Sequence, residues 1–476
     1  LWMETWREMQ LEVAAGLSAA VAANAPGGSK LGLMSSSPAT HSIEGRDWQK
    51  LFAALSVNGQ VAHRPHYAGY SESVGRGHFY CIAMLDAQRA FRPAGCEVAP
   101  ELENFPFTRW TKSDAQTWTQ MAVALLFGSD AILLDIFPFS ANPADREPEI
   151  GEMLDRSRPG LEWIAARFTP DLATSGVGLP WKQDAQAHVR TRAAGDLKAL
   201  DADFLAAGAW LLSYGVPTAC RRQPVNAVFG SLAWAFSDGE WREMLAGGVM
   251  LDGVSADVLC QRGFGDLIGV DMTAWLERER STYAIERVAA KECGAPLGHC
   301  FNMNLLPRVA ALEPRPDAVE WTTLITPEEK RIGAATVVFA NKLGGRVFVH
   351  AAPNPAQLPM DYHRQRIVQS AVRFAAGKAP LPLVTGGPHL MPMHFAGESR
   401  EYFVVYNGGV DPAAPAIEWP GRTAPAVKAT LLAPLAKPKA AKVTVAKTRG
   451  GHDIASQAAV PYHGYLVLEI CSSAKS

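Results

Sequence analysis

Four short apolar segments between residues 30 and 140 recur with a nearly constant spacing. Their centres lie about 30 to 36 residues apart, at Leu33, Ala62, Val98 and Leu133. Each gap is long enough to hold a helix, for example 46–56 and 113–127. Strands that alternate with helices at this spacing are typical of βαβ units with a parallel sheet. This part of the chain is therefore predicted to form consecutive parallel strands joined by helices.

The spacing also matches a (β/α)8 TIM barrel, which needs about 31 residues for each strand and its helix. Four units before residue 140 would be strands five to eight of such a barrel. The amphipathic helix predicted over 1–23 would then follow a fourth strand that is not in this chain. Because this helix opens at Leu1 without a cap signal, we expect a longer chain upstream. A small open parallel sheet is the alternative that the pattern leaves open.

The rest of the chain indicates two further domains. We predict the half barrel over 1–170, an α/β domain over 171–380 and a small antiparallel β-sandwich over 381–476. In the α/β domain the predicted helices are 199–214, 237–246, 255–262 and 361–376, and the predicted strands lie in NAVFGSLAW, GGVMLDG and 334–352. In the last domain strand-like segments such as REYFVVYNGG alternate with Pro/Gly turns, and the lysine-rich stretch 436–451 is predicted to be a solvated turn.

Charge and cysteine usage exclude several classes of partner. The formal net charge is −2, from 45 basic and 47 acidic residues, so neither nucleic acid nor an anionic membrane is a predicted partner. The longest apolar runs, such as 120–127 and 131–139, are too short to cross a bilayer. The 7 cysteines are scattered and odd in number, which favours free thiols in a reducing, cytoplasmic setting and leaves the compartment undetermined.

No cofactor or metal is predicted, because each motif that suggests one has the wrong spacing. The glycines of GFGDLIG do not fit a dinucleotide loop, and they follow a predicted helix rather than a strand. Cys293 and Cys300 lack a paired C-x-x-C, so a zinc site is not expected. The sequence also contains no GxSxG, HExxH or P-loop motif.

The segment CEVAPELENFPFTRW, residues 96–110, carries three glutamates at one parity. Glu97, Glu101 and Glu103 alternate with apolar residues, and alternate side chains of a strand share a face. Ionised carboxylates are rarely buried without partners, so this is either a solvated edge strand or the lining of a cavity that uses the charges. Pro100 cannot donate a ladder hydrogen bond, so we expect a bulge there.

These motifs, in this order of predicted domains, resemble the β-galactosidases of glycoside hydrolase family 42 and related (β/α)8-barrel glycosidases. In that family the glutamate that ends the seventh barrel strand is followed by a polar residue, a proline and a tryptophan. Here Glu103 is followed by Asn104, Pro106 and Trp110, with one residue fewer before the tryptophan. GLMSSSPATHSIEGRDW and ENFPFTRWTKS also resemble a related group of barrel glycosidases, and GGVMLDG and GFGDLIGV resemble its α/β domain.

The resemblance covers nearly the whole chain as architecture but only these motifs as sequence. It implies an active site at the carboxyl ends of the barrel strands, with Glu103 at that end, Glu101 deeper and Glu97 near the bottom. A retaining glycosidase needs a nucleophilic carboxylate and an acid about 5–5.5 Å away. Glu103 is the predicted nucleophile and Glu101 the second choice, while a solvated strand with incidental glutamates is the alternative. The chain departs from the family because the acid/base glutamate would lie after strand four, upstream of Leu1.

The same barrel assignment places polar and aromatic residues at the other strand ends. Sugars are held by polar contacts and by aromatic faces, so this mixture suits a saccharide pocket. The candidate substrate-binding residues are His41, Glu44, Arg46 and Trp48 after strand five, His66 and Tyr67 after strand six, Arg109 and Trp110 after strand seven, and Asp135 in strand eight. Asp47, Arg64 and Tyr70 belong to the same groups. Each residue alone is a weak indication of a sugar site, and only their shared location at the strand ends supports one.

Two classes of function follow from the resemblance. The first is a retaining exo-β-glycosidase, similar to the β-galactosidases, that hydrolyses a small oligosaccharide or glycoside by double displacement. The second is a carbohydrate-binding pseudo-enzyme that has lost the acid/base, and the sequence before Leu1 would separate the two. An amidotransferase-like activity of the α/β domain is less favoured, because no cysteine there sits in a Gly-flanked elbow. The resemblance also implies a homo-oligomer, whereas the sugar and its linkage stay undetermined.

Overall fold

The computed structural model describes residues 2–471 apart from 68, 73–74, 106–107, 140–141, 192, 194, 279–284 and 422. The chain forms two compact units. Unit 1 consists of Leu1–Thr174, His389–Ala416 and Thr423–Ser476, and unit 2 consists of Ser175–Pro388 and Ile417–Arg422. The domain boundaries predicted near 170 and 380 stay predictions.

The helices of the described residues cover much of the first half of the chain and recur in unit 2. The α-helices are α1 (Trp2–Asn24), α2 (Pro38–Ile43), α3 (Trp48–Leu55), α4 (Phe79–Arg89), α5 (Asp114–Leu126), α6 (Pro148–Ala165), α7 (Ala185–His188), α8 (Leu205–Ser213), α9 (Asp238–Leu245), α10 (Gly253–Gln261), α11 (Gly265–Ile268) and α12 (Tyr362–Ala376). Short 3₁₀ helices include Arg109–Thr111, Leu197–Leu200 and Gly230–Ala235.

Strands occur along the whole described chain and dominate its second half. They are β1 (Leu31–Met34), β2 (Val61–Arg64), β3 (Glu97–Val98), β4 (Glu101–Glu103), β5 (Leu133–Asp135), β6 (Ala173–Ser175), β7 (Val177–Gly178), β8 (Thr218–Ala219), β9 (Val225–Val228), β10 (Gly248–Leu251), β11 (Val270–Glu277), β12 (Ile285–Val288), β13 (Cys300–Asn302), β14 (Arg308–Pro314), β15 (Val319–Ile325), β16 (Arg331–Ala340), β17 (Arg346–His350), β18 (Leu383–Thr385), β19 (Leu390–Ala396), β20 (Glu401–Asn407), β21 (Ala416–Pro420), β22 (Ala426–Leu432), β23 (Lys439–Ala441), β24 (Val443–Lys447), β25 (Gly451–Ser456) and β26 (Tyr465–Cys471).

The four apolar segments that open the sequence pattern form parallel strands in unit 1. β1 pairs with β2, β2 with β3, and β4 with β5, all in parallel. The third segment is divided into β3 and β4 at Ala99 and Pro100. The N–H of Ala99 still donates to the carbonyl of His63 at 3.0 Å, but proline has no N–H with which to continue the ladder. The predicted parallel strands are confirmed, but the bulge expected at Pro100 is instead a break, because β3 pairs with β2 and β4 pairs with β5. The numbering of these strands as barrel strands five to eight stays a prediction.

Two predicted helices of unit 1 form between these strands, and each begins at a side-chain cap. The Asp47 carboxylate accepts a hydrogen bond from the N–H of Lys50 at 3.1 Å and starts α3. The Ser113 hydroxyl accepts one from the N–H of Gln116 at 3.1 Å and starts α5. Such caps satisfy backbone donors that have no partner inside the helix. Both helices bury a tryptophan completely, Trp48 in α3 and Trp118 in α5. These two side chains are therefore part of the core of unit 1.

The second part of unit 1 is antiparallel, as predicted for the chain after residue 380. β23, β22, β26, β20 and β19 pair in that order. The predicted sandwich packing of these strands stays a prediction. The lysine-rich stretch is not a simple turn, because residues 443–447 form a strand that pairs antiparallel with β25. That prediction was therefore wrong: β23 and β24 are strands of largely exposed residues.

Unit 2 contains a mixed sheet with the path β13-β12-β15-β16-β17-β10-β9-β7-β8. β10 is parallel to both β9 and β17, and β7 is parallel to β8 and β9. The predicted helices α9, α10 and α12 are present, but the helix predicted over 199–214 is divided into Leu197–Leu200 and α8. The division has a local cause, because the Asp203 carboxylate accepts a hydrogen bond from the N–H of Leu205 at 2.9 Å near the start of α8. None of the helices in the described residues is long and apolar enough to span a bilayer.

Candidate functional site at the strand ends of unit 1

The glutamate parity read from the sequence is present in the structure. Val98 and Leu102 are buried on one face of β3 and β4, and Asn104 continues that face. Glu97, Glu101 and Glu103 lie on the other face and are partly exposed. The carboxylates therefore line one side of the strand and the apolar side chains pack under the other, as the alternation predicted.

Two of the three carboxylates are neutralised by neighbouring cations. Glu97 forms an ion pair with Lys30, and Glu101 forms one with Arg64 at the end of β2. Glu103 differs from both, because among the described residues its carboxylate has neither an ion pair nor a side-chain hydrogen bond. A partly exposed carboxylate without a partner keeps its charge and its lone pairs available for a ligand.

Glu103 lies at the carboxyl end of its strand, where several backbones meet. It pairs in register with Asp135, the last residue of β5. The N–H of Asn104 donates to the carbonyl of Asp135 at 3.0 Å, and the N–H of Phe105 donates to the carbonyl of Tyr70 at 3.2 Å. Burial and the Glu103 charge raise the pKa of Tyr70, so its phenol lies within electrostatic range of that carboxylate. The predicted residues Glu103, Asp135 and Tyr70 thus come together at one edge of the sheet.

Lys112, which was not among the predicted site residues, binds the backbone of Glu103. Its side chain is buried, and its ammonium group donates to the carbonyl of Glu103 at 2.8 Å and to Oε1 of Gln120 at 2.8 Å. Nε2 of Gln120 donates in turn to the carbonyl of Gly69 at 2.7 Å. Burial lowers the pKa of Lys112 to about 8, against the opposing effect of Cys81, Glu72 and Glu103. Lys112 therefore ties the end of β4 to α5 and, through Gln120, to the loop after β2.

A second unpredicted group, Glu72, fixes the same loop. One oxygen of its carboxylate accepts the N–H of Ser113 at 2.8 Å, and the other accepts the hydroxyl of Tyr462 at 3.0 Å and contacts Nε2 of His463 at 3.4 Å. Partial burial raises the pKa of Glu72, but hydrogen bonds from His463, Ser113 and Tyr462 outweigh it and lower the pKa to about 2. The segment just before β26 therefore helps to position the loop that follows β2.

The predicted residues after β1 form one group around His41. Its Nε2 accepts the N–H of Ser36 at 2.8 Å, and its Nδ1 lies 3.3 Å from a carboxylate oxygen of Glu44. Burial and the charge of Arg46 lower the pKa of His41, and burial together with His41 lowers the pKa of His66. Both imidazoles are therefore neutral at pH 7, so each can donate and accept one hydrogen bond. The structure thus brings His41, Glu44, Arg46 and His66 together.

Two predicted sugar contacts are placed in the core instead. Trp48 has no exposed surface and packs against Phe91 with ring centroids 4.6 Å apart, and the Arg46 guanidinium lies 5.0 Å from its ring centre. Tyr67 is 2% exposed, and its hydroxyl donates to the carbonyl of Gln120. A buried ring cannot offer its face to a sugar, so these two residues act by packing. Local sequence did not reveal this, because an aromatic residue after a strand suits a core and a pocket equally well.

Trp110, by contrast, is placed at the surface. It lies in the 3₁₀ helix after β4 and is 88% exposed. Its neighbour Arg109 was also predicted to bind substrate, but the side chain of Arg109 lies outside the described part of the structure. A large exposed aromatic ring close in sequence to Glu103 is a suitable surface for the C–H face of a sugar.

The chemistry available at this site is that of carboxylates and neutral imidazoles. His63, which was not predicted, is buried beneath the site, and burial together with Arg92 and Arg46 lowers its pKa to about 3. Its Nε2 lies 2.8 Å from the Ser35 hydroxyl, so it is a structural group. Within the described ranges no three His, Cys, Asp or Glu side chains are grouped so as to hold a metal ion.

Comparison with known proteins relates this fold to glycosidases. No protein-family model matches the sequence, and no curated protein matches it. Among solved structures, an alpha-L-fucosidase isoenzyme from Paenibacillus thiaminolyticus superposes with a TM-score of 0.58 and 11% identity, covering 91% of this chain and 71% of its own. A beta-galactosidase from Rahnella sp. R3 gives a TM-score of 0.54 at 12% identity, covering 96% of this chain and 68% of its own.

A catalytic mutant of a GH42 beta-galactosidase from G. stearothermophilus also superposes, with a TM-score of 0.54 at 11% identity over 90% of this chain. This chain spans 61% of the length of that enzyme. The resemblance to family 42 inferred from the motifs therefore extends to three-dimensional structure. Over most of its length the chain has the fold of these GH42 beta-galactosidases and of the fucosidase.

Proposed function

We propose that this chain carries the nucleophile of a retaining exo-β-glycosidase similar to the β-galactosidases. The single observation that carries the proposal is the unpartnered, partly exposed carboxylate of Glu103 at the carboxyl end of a parallel strand. Active sites of (β/α)8 barrels lie at that end of the strands. The fold shared with GH42 beta-galactosidases supports the assignment of β1, β2, the divided strand β3–β4, and β5 as barrel strands five to eight.

In this mechanism Glu103 attacks the anomeric carbon while an acid protonates the leaving oxygen, and water then hydrolyses the glycosyl-enzyme. The acid/base would come from the fourth barrel strand. Glu101 is the second candidate for the nucleophile, but its ion pair with Arg64 favours a supporting role. With Lys112 on its carbonyl, Glu103 is held at a fixed position, which suits a nucleophile that must meet a ring carbon at short range.

The remaining candidate residues would hold the sugar. Trp110 would stack against the C–H face of the ring, and Arg109 and Asp135 would bind hydroxyl groups beside Glu103. His41, Glu44, Arg46 and His66 would form the opposite wall. The neutral imidazole of His66 would suit an uncharged hydroxyl, whereas both ring nitrogens of His41 are engaged by Ser36 and Glu44. A small oligosaccharide or glycoside is the proposed substrate. The proposed homo-oligomer rests on the resemblance to family 42, and the proposed cytoplasmic location rests on the scattered, odd-numbered cysteines.

A carbohydrate-binding pseudo-enzyme is the second candidate. The observation that favours it is the state of Glu97 and Glu101, since both are paired with cations and neither is free to serve as an acid beside Glu103. If the fourth barrel strand carries no glutamate at its end, the site would bind sugar without turnover.

The proposal is tested by trapping the covalent intermediate in the full-length protein. A 2-fluoro glycoside slows both steps and the second more, so the adduct should accumulate on the peptide that contains residues 96–104, at Glu103. Glu101→Gln serves as the matched control and should still form the adduct. An adduct on Glu101 would exchange the two roles, and one outside this peptide would contradict the assignment. Sugar binding without turnover would support the pseudo-enzyme.

A further inference from the structure

Unit 2 contains a pocket that the proposed glycosidase does not use. It has a volume of about 510 Å³, within the usual range of small-molecule sites. Two of its walls come from residues that follow the parallel strands β7 and β9 in the chain, and a third comes from the end of α10. We call it the Arg190 pocket. The side chains that line it include Lys182, Arg190, Trp234, Phe236, Asp238 and Arg262.

The charges around the Arg190 pocket are unequal. Three cationic side chains and one carboxylate line it, namely Lys182, Arg190, Arg262 and Asp238. Lys182 is paired with Glu240 at 2.8 Å and Arg262 with Asp238 at 2.5 Å. Arg190 has no ion pair with any described residue. Its guanidinium therefore keeps its donors available, in a planar fork that matches the oxygens of a carboxylate, phosphate or sulfate.

Aromatic rings hold the cations at the wall of the pocket. The Arg190 guanidinium lies 4.7 Å from the ring centre of Trp234, and the Lys182 ammonium lies 5.6 Å from that of Phe236. Stacking orients a guanidinium and leaves its edge N–H groups free to bind a ligand. The Trp234 ring is half-buried and gives the pocket an apolar surface against which a ring compound can lie, whereas Phe236 is buried behind Lys182.

We infer that the Arg190 pocket binds a small anionic ring compound of monosaccharide size, with Arg190 as the contact to its charged group. The volume can hold a single ring, the excess of cations selects an anion, and Trp234 supplies the apolar contact. A carboxylate, a phosphate ester and a sulfate ester share this chemistry. The inference does not depend on the glycosidase proposal, since every residue of the pocket belongs to unit 2.

Calorimetric titration of the chain tests the inference and separates the three anions. The probes are glucuronate, glucose 6-phosphate and glucose 6-sulfate, with glucose, inorganic phosphate and inorganic sulfate as reference ligands. At least one anionic sugar should bind at least tenfold more tightly than glucose and than the corresponding inorganic ion. Arg190→Ala should weaken that binding about ten- to a hundredfold, as expected for the loss of charge-assisted hydrogen bonds. Binding should also weaken with added salt.

Arg308→Ala is the matched control, because Arg308 is also stacked, 4.2 Å from the ring centre of Trp275 in unit 2, but lies outside the pocket. Its affinity for the anionic sugar should be unchanged. If Arg190→Ala does not fold, Lys182→Gln is the second variant and should weaken binding as well. Equal binding of glucose, binding of inorganic phosphate or sulfate as tight as that of the sugar (an adventitious ion only), no binding of any probe, or equal loss in the control would each overturn the inference.

Discussion

Two glutamates, Glu103 in unit 1 and Glu286 in unit 2, show how differently the fold treats a carboxylate on a strand. Glu286 lies on β12 and is fully buried. Its carboxylate oxygens accept hydrogen bonds from Nη1 of Arg364 at 2.7 Å and from the hydroxyl of Thr322 at 2.8 Å. Burial raises the pKa of Glu286, but the charges of Arg364 and His350 and the hydrogen bonds from Arg364 and Thr322 together outweigh it and lower the pKa. Glu103 lies at a strand end, partly exposed, with no partner among the described residues.

The difference separates architecture from candidate chemistry. A buried carboxylate whose lone pairs are occupied stabilises the fold only as long as its partners remain, because an unpaired buried charge is costly. A carboxylate left open at a strand end contributes little to stability and remains free to react or to bind.

The largest effect is expected from Glu103→Gln in the full-length protein. The amide keeps the shape of the side chain and loses the attacking charge, so turnover should fall on the order of a thousandfold or more. Stability should change by less than about 0.5 kcal/mol, as for a surface substitution. Steady-state kinetics and urea denaturation measure the two quantities. A variant that keeps more than about a tenth of the turnover would remove Glu103 from the catalytic role.

Arg364→Met tests the buried carboxylate of Glu286, whose lone pairs are occupied. It leaves Glu286 buried without its cation, so the free energy of unfolding should fall by about 3–5 kcal/mol. Urea denaturation measures the loss. The control is Arg373→Met, which breaks an ion pair with Glu418 in which the two side chains are 44% and 43% exposed. That loss should stay below about 1 kcal/mol. Equal losses in the two variants would show that burial does not distinguish the pairs.

Lys112→Met tests whether the hydrogen bond from Lys112 to the backbone carbonyl of Glu103 positions the Glu103 carboxylate. Without the ammonium the end of β4 loses one side-chain anchor, so kcat should fall about ten- to a hundredfold while KM changes little. The charge of Lys112 is present below its pKa of about 8 and is lost above it. The kcat of the unmodified protein should therefore decline as the pH rises through about 8, and the variant should lack this decline. An unchanged alkaline profile would leave Lys112 with a packing role only.

The smallest effect concerns Glu72, which lies between the two extremes because it is partly exposed but hydrogen-bonded. Its pKa is lowered from 4.5 to about 2, so its stabilising contribution is present above pH 4.5 and is lost as the pH falls towards 2. After allowance for solvent screening the contribution is about 1 kcal/mol. The difference in unfolding free energy between the protein and Glu72→Gln should shrink over that window. A difference that stays constant with pH would show that the charge of Glu72 does not matter.

Much of the local structure could be predicted because its causes are local. The spacing of Leu33, Ala62, Val98 and Leu133 predicted the parallel strands, and the alternation around Glu103 predicted which face carries the carboxylates. Caps at Asp47 and Ser113 coincide with the predicted helix starts to within two residues. Periodicity and capping depend on neighbours a few residues away, so a single sequence contains them.

The partners of these groups depended on residues far apart in the chain. Glu72 is bound by Tyr462, Arg364 by Glu286 and the Gly69 loop by Gln120, and no local pattern relates these positions. Tertiary packing also decided burial. Trp48 lies in the core and Trp110 is exposed, although both follow strands in the sequence. The sequence by itself determined the parallel strands of unit 1, the helix starts at Asp47 and Ser113, and the face that carries the carboxylates. Tertiary packing decided which carboxylate has a partner and which stays open, because only the folded chain brings distant donors within hydrogen-bonding distance.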